Sequence, residues 1–305
     1  MRIVQGLESY QPESIAAVVA LGAFDGIHLG HRAILGTAVT QARREKLRPL
    51  ACTFDRHPME VLQPEKAPLP ITTLEERLEL IAETGIETTV VIPFTRAIAA
   101  VEPEAFVKDV LIKTLGAREI VVGFNHRFGR AARGDARLLE SLAGTLGFEA
   151  HIVPAFTMDG VAVSSSEIRG ALQRGDLPAA ARLLGRPYSI RGEVVRGAGR
   201  GRTLGFPTAN VKTERPLGLP VGVYVCQIGV RAVRYQAVVN VGVRPTFGEN
   251  ELAVEAHLLD FVGDLYNERV TLTFLRRLRE ERKFPSVDAL REQIALDVAA
   301  ARQNS

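Results

Sequence analysis

The sequence predicts an α/β protein of two domains, in which a parallel sheet covered by helices is followed by a small antiparallel barrel. Its 305 residues correspond to two domains of roughly 150 residues each. Short apolar runs alternate with helical patterns in the first half, which is typical of a parallel sheet with helices on both faces. After Gly185 strand-like segments follow one another closely, as in a small barrel. We therefore place the domains at residues 1–184 and 185–305.

The first half contains five apolar runs that predict buried strands and four intervening segments that predict helices. The strands are expected at residues 17–24, 48–54, 87–94, 119–124 and 148–153, and the helices at residues 31–46, 73–83, 103–115 and 136–146. Pro103 suits the first turn of a helix. Asp135 can cap the last of these helices at its N terminus, and Gly147 can end it.

The second half is predicted to contain six strands between two helices. The strands are expected at residues 188–195, 208–212, 223–230, 235–241, 252–260 and 269–275. A short helix at residues 178–184, capped by Asp176 and ended by Gly185, precedes them. A helix at residues 287–302 begins after Ser286 and follows them.

The composition restricts the class of protein. Hydrophobic residues make up 46% of the chain and charged residues 24%, which excludes a wholly disordered, collagen-like or coiled-coil protein. The longest apolar run, residues 15–24, has about half the length of a membrane span, and no signal-like segment opens the chain. The cysteines are only Cys52 and Cys226, so we expect a cytoplasmic protein without membrane association. The net charge of +3 suits phosphate-bearing ligands and is too small to indicate nucleic acid binding.

A glycine- and histidine-rich segment, residues 22–31, lies between the first predicted strand and the first predicted helix. Open parallel sheets bind ligands at such strand ends, and a helix N terminus there favours anions. The glycines allow the backbone to approach a ligand closely. His28 and His31 are three residues apart at the helix entrance, so both can donate hydrogen bonds to phosphate oxygens.

Two other roles for these histidines stay open at this point. They could bind a metal ion, although no cysteine, glutamate or third histidine stands nearby in the sequence to complete a site. They could also be surface or helix-capping residues. The absence of G-x-x-x-x-G-K-[ST] disfavours a P-loop NTPase, and the absence of G-x-G-x-x-G after the first strand disfavours a dinucleotide-binding dehydrogenase.

Residues 24–31 resemble the F-D-G-x-H-x-G-H form of the H-x-G-H signature of nucleotidyltransferases. This form is similar to that of the FMN adenylyltransferase module of bacterial bifunctional riboflavin kinase/FAD synthetases. Three further segments resemble motifs of that module, although Arg56 stands where the family usually has proline. They are residues 53–58 (T-F-x-P-H-P), 123–129 (G-x-[DN]-x-x-F-G) and 164–169 (S-S-[ST]-x-I-R). The resemblance implies a Rossmann-like nucleotidyltransferase domain.

The resemblance also implies site residues in this domain. His28 and His31 would stabilise the charge that develops on the ATP phosphates during adenylyl transfer. The residues implied to bind the nucleotide are Gly22, Phe24, Asp25, Gly30, Asn125, Ser164, Ser165 and Arg169. Taken by themselves, residues 164–167 also fit a helix capping box, and residues 57–58 also fit the end of a strand.

A glycine- and arginine-rich loop at residues 197–205 lies between two predicted strands of the second half. Its backbone N–H groups can bind phosphate, and the same composition also fits a flexible basic hairpin. The glycines that would approach the phosphates are Gly197, Gly199 and Gly201. Thr208 and Asn210 follow on one face of a strand, where their oxygens suit Mg²⁺. The alternative is turn chemistry around Pro207.

Glu255 lies on a predicted strand whose even-numbered residues, from Leu252 to Leu258, are apolar. These residues face the core, so Glu255 and His257 face the other side. A carboxylate there can accept the proton of an attacking hydroxyl group. The alternative is a solvated strand face.

The second half resembles riboflavin kinases. Four segments carry the resemblance: residues 205–210 (G-F-P-T-A-N), 255–257 (E-x-H), 240–247 and 278–284. The resemblance implies a six-stranded antiparallel β-barrel with a terminal helix. It also implies that Glu255 is the catalytic base and that Thr208 and Asn210 bind the metal. Without the resemblance, the charged run at residues 276–283 indicates a solvated face.

Together the two resemblances cover essentially the whole chain and imply a bifunctional transferase. It would phosphorylate riboflavin with ATP and then adenylylate FMN to FAD, releasing pyrophosphate, with Mg²⁺ as cofactor. We expect small-molecule partners only (ATP, riboflavin and FMN), no nucleic acid, and a monomer or weak homo-oligomer. Two alternatives are an adenylyltransferase for another phosphate and a nucleic-acid-binding barrel. The second is disfavoured because the chain has no Trp and only five Tyr on which bases could stack.

Overall fold

The chain folds into two compact units, Met1–Ser165 and Ser166–Ser305, in a computed structural model that describes residues 1–197, 200–246 and 249–303. A parallel sheet lies in the first unit and a closed antiparallel barrel in the second. The predicted fold class is thereby confirmed. No helix in the described part of the chain is long and apolar enough to cross a membrane.

Six parallel strands form the sheet of the first unit, in the order β1-β4-β3-β2-β5-β6. The strands are β1 Arg2–Gln5, β2 Ala17–Leu21, β3 Arg48–Phe54, β4 Thr88–Ile92, β5 Ala117–Gly123 and β6 Glu149–Val153. The chain builds the sheet outward from β2, with β3 and β4 on one side and β5 and β6 on the other. The strand order therefore reverses at β2, and such sheets bind ligands in the crevice beside that strand's carboxyl end.

Helices cover both faces of this sheet. They are α1 Leu29–Glu45, α2 Pro58–Leu62, α3 Leu74–Ala82, α4 Arg96–Ala99, α5 Pro103–Ala105 with its π-helical continuation Phe106–Thr114, and α6 Ala136–Leu146; a hairpin of β7 Thr157–Met158 and β8 Val161–Ala162 follows. Val18 and Val19 of β2 are both fully buried, because successive strand residues point to opposite faces. Val18 belongs to the core beneath Leu35 of α1, and Val19 to the core beneath Leu111 of the π-helical segment.

The second unit is a closed barrel with strand order β10-β13-β12-β11-β14-β9, in which all pairs are antiparallel. The strands are β9 Tyr188–Val195, β10 Ala209–Thr213, β11 Gly222–Val230, β12 Val233–Thr246, β13 Glu249–Leu258 and β14 Arg269–Arg279; the helices are α7 Ser165–Gln173, α8 Leu177–Leu184, α9 Arg200–Thr203 and α10 Val287–Arg302. Helix α8 packs against β9 and β14, and α10 packs against β12. The barrel therefore carries helices from both ends of its sequence.

The structure corrects several sequence-based boundaries for identifiable reasons. The first predicted strand ends at Leu21, because Phe24 adopts a φ of 52°, which no strand contains. Strand β1 was not predicted, because Val4 is its only buried residue and no apolar run marks it. Strand β14 continues to Arg279, so the charged run at residues 276–283 begins on a barrel strand. The short helices α2, α4 and α9 and the β7–β8 hairpin were also missed, whereas the caps at Asp135, Asp176 and Ser286 are confirmed.

We expect α8 to stabilise the barrel, because Leu177 and Leu184 are almost fully buried on this helix. Burial of two leucines contributes about 3 kcal/mol or more. A fragment of residues 174–305 should therefore resist urea better than a fragment of residues 185–305 by about that free energy of unfolding, measured by circular dichroism. Equal unfolding midpoints and slopes would show that the barrel does not depend on α8.

Candidate active sites

The turn after β2 combines backbone strain with deep burial. Phe24 and Ile27 have φ values of 52° and 38°, in the left-handed region of backbone angles that residues other than glycine rarely adopt. Both side chains are fully buried in the core beneath α1, and this burial holds the turn in place. The Phe24 ring packs closely against Gly22. A Cβ at position 22 would lie only 2.8 Å from this ring, so a larger residue would collide with it. Phe24 therefore anchors the turn from the core side.

The two predicted histidines meet at the N terminus of α1. The backbone N–H of His31 donates to Nδ1 of His28 (3.2 Å), so His28 is the N-cap of the helix. The two imidazoles stack with their centroids 3.6 Å apart. Because Nδ1 of His28 accepts a hydrogen bond, the neutral ring carries its proton on Nε2 and can donate it to a ligand. Gly30 permits this packing, because a Cβ there would lie 3.2 Å from the His28 ring.

The capping and ligand-binding roles of His28 are thus compatible, whereas a metal role has no support from the geometry. Within the described residues, the one group of three side chains placed to share a metal ion is Glu119, Glu149 and His151, which includes neither His28 nor His31. In that group Nε2 of His151 already lies 2.7 Å from the Glu119 carboxylate.

The carboxylate of Asp25 stabilises the turn by hydrogen bonds to the segment before α3. The carboxylate accepts hydrogen bonds from the backbone N–H groups of Ile71 and Thr72 and from the Thr72 hydroxyl, all at 3.0 to 3.1 Å. The Thr72 hydroxyl oxygen also accepts the backbone N–H of Gly26. The side chain of Asp25 therefore joins the turn to the segment that leads into α3. Direct binding of the nucleotide by Asp25 stays a prediction.

The other predicted residues of this site lie on three different segments. The Ser165 hydroxyl donates to the backbone carbonyl of Asp25 (3.0 Å), which brings Ser165 to the turn. Ser164 directly precedes α7, as an N-cap residue does. Asn125 is exposed and follows β5, the neighbour of β2, so it lies at the same edge of the sheet. Arg169 lies on α7, within the second unit.

The T-F-D-R-H-P segment has local structural roles. His57 caps α2 in a capping box with Glu60, and Pro58 occupies the first turn of that helix. Arg56 pairs with Asp55 at the surface (2.9 Å). Thr53 lies deeper and donates from its hydroxyl to the carbonyl of Ala23 (3.1 Å), so this segment also contacts the turn.

A second polar cluster forms on the outer face of the barrel. Glu255 lies opposite Asn210 of β10 and opposite Asn240 of β12 in the strand register, so the three side chains share one face. Val254 and Ala256 are buried on the other face. Thr208 directly precedes β10. The cluster is therefore assembled by the pairing of three strands that are far apart in the sequence.

A cavity of about 820 Å³ lies against Asn240 and Glu255 of this cluster. It is lined by Thr208, Asn240, Glu255 and His257 on the barrel side and by Leu290, Ile294 and Asp297 on the α10 side. Glu255 thus faces a cavity, and an open solvated strand face does not describe its position. Leu252, which the sequence places in the core, is 37% exposed, so the apolar face does not extend that far along β13.

The glycines of the 197–205 loop lie directly against the cluster. A Cβ on Gly197 would lie 1.9 Å from Nδ2 of Asn210. A Cβ on Gly201 would lie 2.4 Å from the carbonyl oxygen of Phe206 and 2.9 Å from the hydroxyl of Thr208. The close approach of loop and strand therefore requires glycine at both positions. Gly199 lies outside the described residues.

Charged residues that the sequence assigned to a solvated face line the same cavity. Nε and Nη2 of Arg279 donate to the buried carboxylate of Asp297 on α10 at 2.8 to 3.1 Å. Nδ2 of Asn240 lies 3.5 Å from Oε1 of Glu281. The sequence alone assigned no individual role to these residues. A run of mixed charges does not reveal which of its side chains face α10. The alternation of strand β14 would have been the available signal.

A smaller cavity of about 230 Å³ lies on the other side of Thr208. Pro207, Ala209, Phe261 and Tyr266 contribute to its lining, and the guanidinium of Arg196 lies 5.1 Å from the centroid of the Tyr266 ring. The two cavities therefore share Thr208 as a lining residue.

Comparison with known families also divides the chain into an N-terminal and a C-terminal part. A family model for FAD synthetase matches residues 10–167, and a family model for riboflavin kinase matches residues 184–305. The first contains the histidine pair, and the second contains the barrel and its polar cluster.

Individual relatives match over nearly the whole chain. A bifunctional riboflavin kinase/FMN adenylyltransferase from Escherichia coli (strain K12) is 36% identical over 305 residues, covering 99% of this chain and 97% of the relative. A relative of the same description from Bacillus subtilis (strain 168) is 38% identical over 291 residues, covering 93% and 91%. A crystal structure from Streptococcus pneumoniae, described as a macrolide-efflux protein, matches over 100% of both chains with a TM-score of 0.92 and 32% identity. That protein therefore shares the architecture of this chain.

We expect Gly197→Ala to displace the Asn210 side chain, because the added methyl group would overlap it. Overpacking of this kind costs about 1–3 kcal/mol in the free energy of unfolding, which urea denaturation of the full chain measures. Gly218→Ala is the matched control in the same unit, since its nearest contact would be at 4.0 Å. Equal stability of the two variants would contradict the close approach of the loop to Asn210.

Proposed function

The chain belongs to the family of bifunctional riboflavin kinase/FMN adenylyltransferases, and we propose that its two halves divide the two reactions. Residues 185–305 transfer the γ-phosphoryl group of ATP to riboflavin, giving FMN and ADP. Residues 1–184 transfer AMP from a second ATP to FMN, giving FAD and pyrophosphate. The observation that carries this assignment is the presence of a separate polar cluster in each half, matched by a separate family model.

In the kinase half, Glu255 is proposed as the base. It faces the larger cavity, which has room for the tricyclic flavin and its ribityl chain. The carboxylate accepts the proton of the riboflavin 5′-hydroxyl as that oxygen attacks the γ-phosphorus. Part of ATP is proposed to occupy the smaller cavity, so that Thr208 lies where the two substrates meet. Phosphoryl transfer then depends mainly on positioning and on neutralisation of charge.

Thr208 and Asn210 are proposed to bind Mg²⁺ with the phosphates of ATP. Their hard oxygen donors and their position under the glycine loop fit this ion, which usually keeps water and phosphate oxygens as further ligands. The ion, when bound, neutralises phosphate charge. The backbone of Gly197, Gly199 and Gly201 is proposed to contact the same phosphates.

In the adenylyltransferase half, no base is needed because the attacking FMN phosphate is already anionic. Its oxygen attacks the α-phosphorus of ATP, and the bond to the leaving pyrophosphate breaks. His28 and His31 stabilise the charge that builds on the α- and β-phosphates, and the N terminus of α1 adds its positive dipole end. The residues proposed to hold the nucleotide around them are Gly22, Phe24, Asp25, Gly30, Asn125, Ser164, Ser165 and Arg169.

The remaining proposals concern location and partners. Cys52 and Cys226 are buried free thiols, and burial raises the pKa of the Cys52 thiol to about 12, so this side chain is unreactive. Two unpaired thiols are consistent with a reducing cytoplasm. The partners are the small-molecule substrates, and the protein acts as a monomer or weak homo-oligomer without nucleic acid. An adenylyltransferase for another phosphate would not need the cluster around Glu255.

His28→Ala should lower the rate of FMN adenylylation about 10²–10³-fold, the usual loss for one preorganised donor. Riboflavin phosphorylation by the same preparation should stay near the wild-type rate, because that cluster lies in the other unit. Chromatographic assays of the two half-reactions decide the matter. A parallel loss of both activities together with a lower melting temperature would indicate a folding role instead.

Glu255→Gln should slow riboflavin phosphorylation about 10²–10⁴-fold, because glutamine keeps the shape but cannot serve as a carboxylate base. Conversion of supplied FMN to FAD should change little. Glu193→Gln on β9 is the matched control, since Glu193 is exposed on the same barrel. A kinase rate within a few-fold of wild type in Glu255→Gln would rule out the base.

A further inference from the structure

Arg77 is a buried arginine beneath the turn that carries the histidines. It lies on α3 and is only 6% exposed. Its Nη1 donates to the backbone carbonyl oxygens of Ala23 (3.0 Å) and Phe54 (2.8 Å). These two carbonyls follow β2 and end β3, so the guanidinium ties together the carboxyl ends of two neighbouring strands.

The guanidinium of Arg77 is only partly paired although it is buried. Its Nε is buried and has no hydrogen-bond partner among the described residues. Burial lowers the pKa of the guanidinium, while the negative charges of Asp25, Glu60 and Asp55 act in the opposite direction. A buried charge with incomplete pairing is less stable than an apolar side chain in the same place. The unfavourable burial of this charge indicates a role for Arg77 in the geometry of the turn.

Arg77 and the entry to α3 hold the turn from two sides. Arg77, together with the hydroxyl of Thr53, donates to the carbonyl of Ala23, directly before the strained Phe24. Two residues later, the carboxylate of Asp25 is held by Ile71 and Thr72. The next residues of the turn lead to the cap of α1. A change in the orientation of the Ala23 peptide would therefore move the start of this helix and its imidazoles.

We propose that Arg77 is a positioning residue for adenylyl transfer, acting through the turn to hold His28 and His31 at the phosphates. This proposal rests on the function proposed above for the histidine pair. Misplacement of such groups by about 1 Å can cost roughly 10²-fold in rate without removing any of them. Arg77 itself need not touch the substrate, so its loss should change the rate at saturation more than the binding of substrate.

The experiment compares Arg77→Lys, Arg77→Met and the exposed control Arg137→Met in the full chain. Lysine keeps a charge but lacks the planar fork, and it remains testable if the methionine variant does not fold. We expect kcat for FMN adenylylation to fall roughly 10-fold in Arg77→Lys and 100-fold in Arg77→Met, with KM for FMN and ATP within three-fold of wild type. Riboflavin phosphorylation and all rates of Arg137→Met should be unchanged.

The double variant Arg77→Met/His28→Ala tests whether Arg77 acts through the histidine. We expect it to be little slower than His28→Ala alone, because residues that act as one unit are not additive. Wild-type kcat in both Arg77 variants, or full additivity in the double variant, would overturn the positioning role. If His28→Ala itself left the rate unchanged, the proposed role of the histidines would fail first, so the two failures are distinguishable.

Discussion

The site proposed for adenylyl transfer depends on one constraint, the conformation of the turn after β2. Phe24 and Ile27 adopt left-handed backbone angles, which cost about 1–3 kcal/mol each in ordinary surroundings. The fold offsets this cost by burying both side chains beneath α1. Hydrogen bonds of Asp25 and Arg77 also hold the backbone of the turn in place. Only with the turn in this shape does His28 reach the cap of α1 and stack on its partner. The strain and the site therefore have the same origin.

In the barrel, Asn210, Asn240 and Glu255 come together without left-handed backbone angles at any of the three. They come together because three antiparallel strands pair in one register, which fixes their side chains on a common face. What this site requires is close approach, supplied by glycine at position 197. The two arrangements match the two reactions proposed for them. Adenylyl transfer needs donors aimed at developing charge, whereas transfer to a hydroxyl also needs a carboxylate beside two substrates.

Local patterns in the sequence were sufficient for some of these features and not for others. The spacing of His28 and His31 is a property of a single helix entrance, and it predicted their proximity. The neighbourhood of Glu255 and Asn210 arises from strand pairing across 45 positions of chain, so it followed only from resemblance to a family. Arg77 carried no signal, because an arginine in an amphipathic helix is ordinarily exposed. The contact of the Asp25 carboxylate with the backbone of Ile71 carried no local signal, because that partner lies 46 residues away in the chain.

The most direct test of whether this chain carries out both reactions is to follow the flavins that the purified protein forms. The full chain is incubated with riboflavin, ATP and Mg²⁺, and riboflavin, FMN and FAD are separated by chromatography over time. We expect FMN to rise first and FAD to follow, with one ADP released for each riboflavin phosphorylated and one pyrophosphate for each FAD formed. Consumption of ATP without phosphorylated flavin, or FMN that is never converted to FAD, would contradict the assignment of both reactions to this chain.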